Sequence, residues 1–325
     1  MEHPARRVKL AARALIPPPF PHTIRAIGAG AGDRIERKCG MQIELIADYQ
    51  CETGEGPLWH PDEKRVYWTD IPQGRMFRYD PAGGRHEQFY GGPPVGGATV
   101  QADGALLLFM ACGAVAVWRD GRLTTVIEQI PDEVNSRFND GIADPAGRVF
   151  CGTMSGPDHK GRLYRLDPDG SLTVVLENVG TSNGMGFTPD RRHFYHIDTP
   201  TREICIFDYD AARGAISNRR VFVRTPDGFG GPDGMTVDAE GFVWAAKWGG
   251  GRLERYTPDA RLERTIELPA RKVSSLTFGG EDYDDIYVTT AGGPTKDEDG
   301  PGAGALFRVR CAIRGVPEFR SRIGL

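Results

Sequence analysis

Four oxygen-bearing residues of this 325-residue chain share one spacing. Glu55 lies six residues before Pro61, Asn139 six before Pro145, Asn183 six before Pro189 and Asp233 six before Ala239. Each later residue opens a turn that leads into a β-rich segment. A single Asn-Gly or Asp-Gly pair reads as a turn. Turns alone, however, would let Asp and Asn fall anywhere in the turn region, whereas carboxylates and amides in one register read as one site. Two carboxylates and two amides are hard ligands suited to Ca²⁺, Mg²⁺ or Mn²⁺, and Zn²⁺ accepts carboxylates too. Gathering them without a cation is costly. With four protein ligands, coordination positions stay open for water or substrate, as metal-assisted hydrolysis requires.

The elements that must position these residues recur along the chain. β-rich segments begin at Arg65, Ala105, Arg148, His193, Phe242 and Asp285, at intervals of 40 to 49 residues. They are rich in Val, Tyr, Phe and Trp, and long helical patterns are missing, so the repeat is a β repeat. About four short strands fit each unit, and six units fill the chain after Met41. The expected fold is all-β, a six-bladed β-propeller with a central metal-binding channel. No Gly-His…Trp-Asp signature recurs, which argues against the WD40 type. The first strand of each blade would line the channel, so equivalent positions would ring one axis. The other two units place Gly96 and Ser275 at that position. The strand "QIELIADY", after Met41, is expected to close the ring by joining the last unit.

Composition narrows the function classes. The chain is 39% hydrophobic and 26% charged, with net charge −4. That balance gives no electrostatic case for nucleic acid or an anionic membrane. No apolar run reaches the ~18 residues of a membrane helix. Cys39, Cys51, Cys112, Cys151, Cys205 and Cys311 form no C-x-x-C pair, and without a clear secretory signal they read as free thiols of a cytoplasmic protein. Residues 1–40, basic and proline-rich, are read as a disordered extension, and 41–325 as the propeller domain. "GAGAGD" at Gly28 lacks a preceding strand and a following Gly-Lys-Ser/Thr, so it is no phosphate loop. Serine-hydrolase chemistry is not expected: no Gly-x-Ser-x-Gly elbow is read. His60, His86, His159, His193 and His196 lack metal or triad spacing.

The motifs "GEGPLWH", "SRFNDGIADPAGRVFCGTM", "SNGMGFTPD", "GPDGMTVDAEGFVWAAKWGGG" and "LTFGGEDYDDIYVTTA" occur in order from about Met41. With them the chain resembles the SMP-30/gluconolactonase/regucalcin family, and "FYHID" with "AAKWGGG" resembles its bacterial sugar lactonases. The resemblance implies a six-bladed propeller with one divalent metal ion held by Glu55, Asn183 and Asp233. It also implies Asn139 beside the metal and Arg137 as a substrate-binding arginine. The implied substrate is a small sugar lactone, such as arabinono-, xylono- or gluconolactone, with Asp233 the candidate general base. Trp248 and Lys247, late in a β-rich segment, read equally as substrate contacts or blade packing. After "GTM", "SGPDHKGRLYRL" lacks the longer acidic lid of the animal proteins, so their substrate preference is not carried over. "SSLTFGG" replaces the frequent Thr-Ser-Cys before Phe-Gly-Gly, which removes no ligand. The rival readings are a related phosphotriesterase or arylesterase, a calcium-binding regulatory propeller without turnover, and an interaction scaffold.

Overall fold

The structure, a computed structural model, describes residues 41–325. The expected 1–40 extension lies outside the described residues. Six four-stranded antiparallel sheets follow one another in sequence. Their inner strands are Gly54–His60, Val95–Val100, Phe138–Ala143, Ser182–Phe187, Gly231–Val237 and Lys272–Gly279, which begin blades 1 to 6. Each inner strand packs against those of the blades on either side, and Gly54–His60 meets Lys272–Gly279, so the ring closes. The expected six-bladed propeller is the observed fold.

Closure also follows the expectation. The strand Gln42–Asp48 pairs antiparallel with Ala305–Arg310 and supplies the outer strand of blade 6. The first and last strands thus share one sheet, and its hydrogen bonds lock the ring.

Burial explains why these sequences form blades. Second strands such as Leu106–Met110 and Asp285–Ala291 are buried on both faces, and Leu106–Met110 accordingly reads as a continuous apolar run. Outer strands such as Arg122–Ile127 are mostly exposed and accept polar residues. The apolar core divides into six clusters, one wedged between each pair of neighbouring blades. Between blades 3 and 4, for example, Phe150 and Leu163 meet Phe194 and Phe207. Each large side chain so buried contributes about 1.5–3 kcal/mol.

Two glycines show how tightly the inner strands converge. A Cβ on Gly184 would lie 2.4 Å from the Met235 backbone nitrogen, and one on Gly96 2.1 Å from the Phe138 carbonyl oxygen. No side chain fits at either place without moving backbone.

The repeated turn acids are structural. Asp144 is fully buried and accepts from the Ala146 and Arg148 amides, Arg148 Nε and Tyr209 Oη. Asp238 does the same for Glu240, Phe242, Trp244 and Arg255. These anchors hold the turn between inner and second strands, at the end of the ring opposite the four candidate ligands. The chain's last segment crosses that end and touches every blade. Arg320 pairs with Asp62, Ser321 N donates to Val100 O, and Arg322 N donates to Gly147 O. Phe319 packs on Phe187, and Gly315 bridges Asp238 while donating to Tyr283 O.

No helix among the described residues is long and apolar enough to cross a membrane. Cys51, Cys112, Cys151, Cys205 and Cys311 are all free.

Candidate active site

The four aligned residues occupy equivalent places on four inner strands. Gly54 pairs with Asp70, Ser182 with Asp198 and Pro232 with Lys247, so Glu55, Asn183 and Asp233 each follow an equivalent pairing. Each strand bulges just beyond this position, which turns the side chain into the channel. In blade 6 the bulge comes earlier: Val273 pairs with Thr290 and Ser275 with Thr289. Ser274, rather than the expected Ser275, therefore holds the equivalent place there, and its hydroxyl donates to Gly54 O at 2.5 Å.

Asn139 and Asn183 meet directly, and the Asp233 strand packs against the Asn183 strand. Asn139 Nδ2 donates to Asn183 Oδ1 at 2.7 Å and to Ser182 O at 2.9 Å. A Cβ on Gly184 would lie 2.7 Å from Asp233 O, so the Asn183 and Asp233 strands are in contact. Glu55 approaches from blade 1, close enough for its charge to act on Asp233. Arg137 NH1 donates to Asn139 Oδ1 at 2.6 Å and to Phe138 O at 3.0 Å. All four aligned residues are at most 4% exposed.

The electrostatics are those of carboxylates crowded out of water. Burial pushes the Glu55 carboxyl well above its ordinary range, and the Asp140 charge adds to this; the Gly56 N–H and Arg137 oppose it. Asp233 is raised by burial, then by Glu55 and Asp140, with Arg137 again opposing. Asp140 itself is pushed up to about 7 by burial. The sequence reading missed Asp140, although it sits beside Asn139 in "FNDG". Arg137 reaches the carboxylates through charge alone, because its hydrogen bonds go to blade 3.

These observations decide whether the residues fit a divalent cation. Among the described residues, no three His, Cys, Asp or Glu side chains form a metal-binding group. The candidate set instead combines two carboxylates with asparagine oxygens, a donor set for hard cations. Asp233 is raised by burial and like charge with no hydrogen bond offsetting it. A cation there reverses the penalty. Asn183 Oδ1 accepts one hydrogen bond and keeps a second lone pair for it. The residues fit.

Other candidates resolve as structural. Lys247 is fully buried, pairs with Glu254 at 2.9 Å and donates to Thr225 at 2.8 Å. Trp248 carries the Lys272 ammonium over its ring at 5.7 Å. Residues Gly180–Gly184 do read Gly-Thr-Ser-Asn-Gly, which corrects the expectation that no such elbow exists. Ser182 Oγ even lies 2.9 Å from His196 Nε2. Yet Ser182 is fully buried within a strand, not raised on a strand-to-helix turn. Burial also holds the His196 imidazole down at about 3, so it is a poor acceptor for a serine proton.

Deeper along the same strands lies a cavity of about 50 Å³, lined by Gly56, Gly97, Asp140, Met235, Ser275 and Glu318. It excludes the oxygen cluster and occupies the stretch between that cluster and the chain's last segment. Glu318, in that segment, lines the cavity; its side chain is exposed there, and the protein mass surrounding it pushes the carboxyl up to about 7.

The comparisons with known proteins agree with this architecture. Residues 53–292 match the family model described as the SMP-30/Gluconolactonase/LRE-like region. A pentonolactonase of Haloferax volcanii is 48% identical over 294 residues, covering 88% of this chain and all of that protein. Human regucalcin is 32% identical over 293 residues, covering 86% of this chain and 98% of that protein. The crystal structure of a calcium-binding regucalcin from Agrobacterium tumefaciens superposes with TM-score 0.80 at 26% identity, covering 86% and 97%.

Proposed function

The chain belongs to the SMP-30/gluconolactonase/LRE-like family, and on that premise we propose that it is a lactonase, hydrolysing a sugar lactone to the open aldonic acid. The proposed substrates are aldonolactones such as arabinono-, xylono- or gluconolactone, with a pentonolactone favoured by the relative at 48% identity. The observation that carries the reading is the convergence of Glu55, Asn139, Asn183 and Asp233, from four blades, at one end of the channel with Arg137 beside them.

In this proposal Glu55, Asn183 and Asp233 hold one divalent ion, Ca²⁺, Zn²⁺, Mg²⁺ or Mn²⁺, with Asn139 beside it. When bound, the ion would supply Lewis acidity for the ester carbonyl and would lower the pKa of water. Asp233 takes the proton from the attacking water as general base. Arg137 holds a sugar hydroxyl or the ring ester oxygen, using guanidinium nitrogens not committed to Asn139 and Phe138. Asn139 is braced by Arg137, Asn183 and Ser182 O, so its amide is held fixed with one Oδ1 lone pair left for the ion or a substrate hydroxyl. Fixed dipoles aimed at a developing charge need no reorganisation during reaction.

The test is a panel of five- and six-carbon sugar lactones assayed by proton release, with and without chelator. Metal-dependent turnover of aldonolactones is the expected result. Binding of Ca²⁺ with no turnover of any lactone would overturn the enzyme reading in favour of a regulatory propeller. Faster turnover of phosphotriesters or aryl esters would move the assignment to that class.

A further inference from the structure

We propose that Thr199 is a positioning residue for the site. It fixes which end of the Asn183 amide faces the channel, and it ties the Asn183 strand to the Asp233 strand. The inference rests on the reading of Asn183 as a metal ligand. Thr199 opens a short 3₁₀ turn, Thr199–Thr201, after the second strand of blade 4. Asn183 Nδ2 donates to Thr199 Oγ1 at 2.7 Å, and Thr199 Oγ1 donates to Pro232 O at 2.7 Å.

Proton counting makes the orientation unique. A hydroxyl has one proton and two lone pairs. A carbonyl oxygen can only accept, so the Thr199 proton goes to Pro232 O. Thr199 then offers Asn183 lone pairs alone, which accept from the amide NH₂ and reject the amide oxygen. Oδ1 is left to face the channel, where Asn139 Nδ2, a donor, meets it at 2.7 Å. Both neighbours of the amide thus demand the same orientation. Pro232 immediately precedes Asp233, so the same hydroxyl sets the spacing between two ligand-bearing strands of adjacent blades.

The repeat supports a specific role. Aligned on the second strands, the residues at this place are Ile71, Ala111, Met154, Thr199, Trp248 and Ala291. The backbone there is equivalent: the N–H groups of Ile71, Ala111, Met154 and Thr199 donate to the carbonyls of Thr53, Pro94, Arg137 and Thr181. Each of those carbonyls lies two residues before Glu55, Gly96, Asn139 or Asn183. A blade therefore needs no hydroxyl at this place; fully buried Ile71 serves blade 1. Thr199 is the one hydroxyl of the six, and it stands between two ligands.

Partners that orient metal ligands are commonly worth 10–100-fold in metal affinity. The test measures Mn²⁺ binding to metal-stripped full-length protein, counting free Mn²⁺ by its paramagnetic resonance signal, with Ca²⁺ titration calorimetry beside it. Thr199→Val keeps the shape and removes the hydroxyl; Thr199→Ser keeps the hydroxyl. The expected result is affinity weakened about 10–100-fold in Thr199→Val and within about twofold of the parent in Thr199→Ser. The metal-free melting temperature of Thr199→Ser should match the parent's, and that of Thr199→Val should fall by only about 2–4 °C for the two lost hydrogen bonds, leaving the metal-free protein folded. In an Asn183→Asp background both side-chain oxygens are alike, so Thr199→Val should cost less than about threefold. Equal penalties in the two backgrounds, or parent-like affinity in Thr199→Val, overturn the proposal. A parent protein that binds neither ion overturns the ligand reading itself, which separates that failure from this one.

Discussion

Asn139 donates its side-chain amide to Asn183 Oδ1 at 2.7 Å, across the boundary between blades 3 and 4 and 44 residues apart in sequence. The bond belongs to a longer one-way chain: Arg137 to Asn139, Asn139 to Asn183, Asn183 to Thr199, Thr199 to Pro232. Every link has its donor on the same side, so the chain orients each side chain in turn. It carries orientation from the proposed substrate-binding arginine to the residue before the proposed base.

Replacing the base is the most direct test of the chemistry. Asp233→Asn should lower kcat/KM for an aldonolactone by on the order of 10²–10⁴, while far-ultraviolet circular dichroism stays that of the parent. Parent-like proton release from this variant, with metal present, would remove Asp233 from the mechanism.

Arg137→Lys tests recognition. Lysine keeps the charge but loses the planar fork that reaches Asn139 and Phe138 together. KM should rise about tenfold with a smaller fall in kcat, read from initial rates at several lactone concentrations. An unchanged KM would assign Arg137 to scaffolding alone.

Removing the metal should act on rate and stability together. A chelator should abolish turnover and lower the melting temperature, and saturating metal at ~100 times its dissociation constant should restore about 2.7 kcal/mol. Calorimetric scans with added Ca²⁺, Mg²⁺, Mn²⁺ and Zn²⁺ then rank the ions. Full activity at exhaustive chelation contradicts metal dependence.

Glu318 predicts a pH effect of definite sign. Its carboxyl lies at about 7 in the folded chain, above the ordinary 4.5. The folded state therefore binds the proton more tightly, and the associated stability is present below about 4.5 and lost as pH rises through about 7. Glu318→Gln cannot ionise. In chelator, its melting temperature should match the parent's at pH 4.5 and exceed it at pH 8 by less than about 2 °C, because water screens the exposed side chain. A difference independent of pH refutes the assignment.

The last segment should matter for stability out of proportion to its size, because it touches all six blades. Deleting residues 314–325 removes the buried Ile323 and the Phe319 contacts. The expected loss is about 3 kcal/mol, or roughly 6 °C in melting temperature. Thermal denaturation followed by tryptophan fluorescence measures it, and an unchanged transition would show that the blades need no tie at this end.

The sequence by itself determined the repeat, the blade count and the shared strand that closes the ring. Apolar runs between turn signals recur at a regular interval, and one blade cannot bury its faces alone. It also determined the common phase of Glu55, Asn139, Asn183 and Asp233, because repeats convert sequence phase into spatial equivalence. Tertiary structure decided what no period encodes. Asp140 lies one residue off the shared phase, yet its charge acts on Glu55 and Asp233 because the channel is narrow. Ser274 takes the place counted to Ser275 because one bulge shifted. Ser182 and His196 meet as a buried, structural pair inside a motif that elsewhere signals a nucleophile. Thr199 gains its part only from the neighbouring blade, since the carbonyl that takes its proton belongs to Pro232. Direction of a hydrogen bond depends on what stands opposite in space, and a linear sequence does not hold that information.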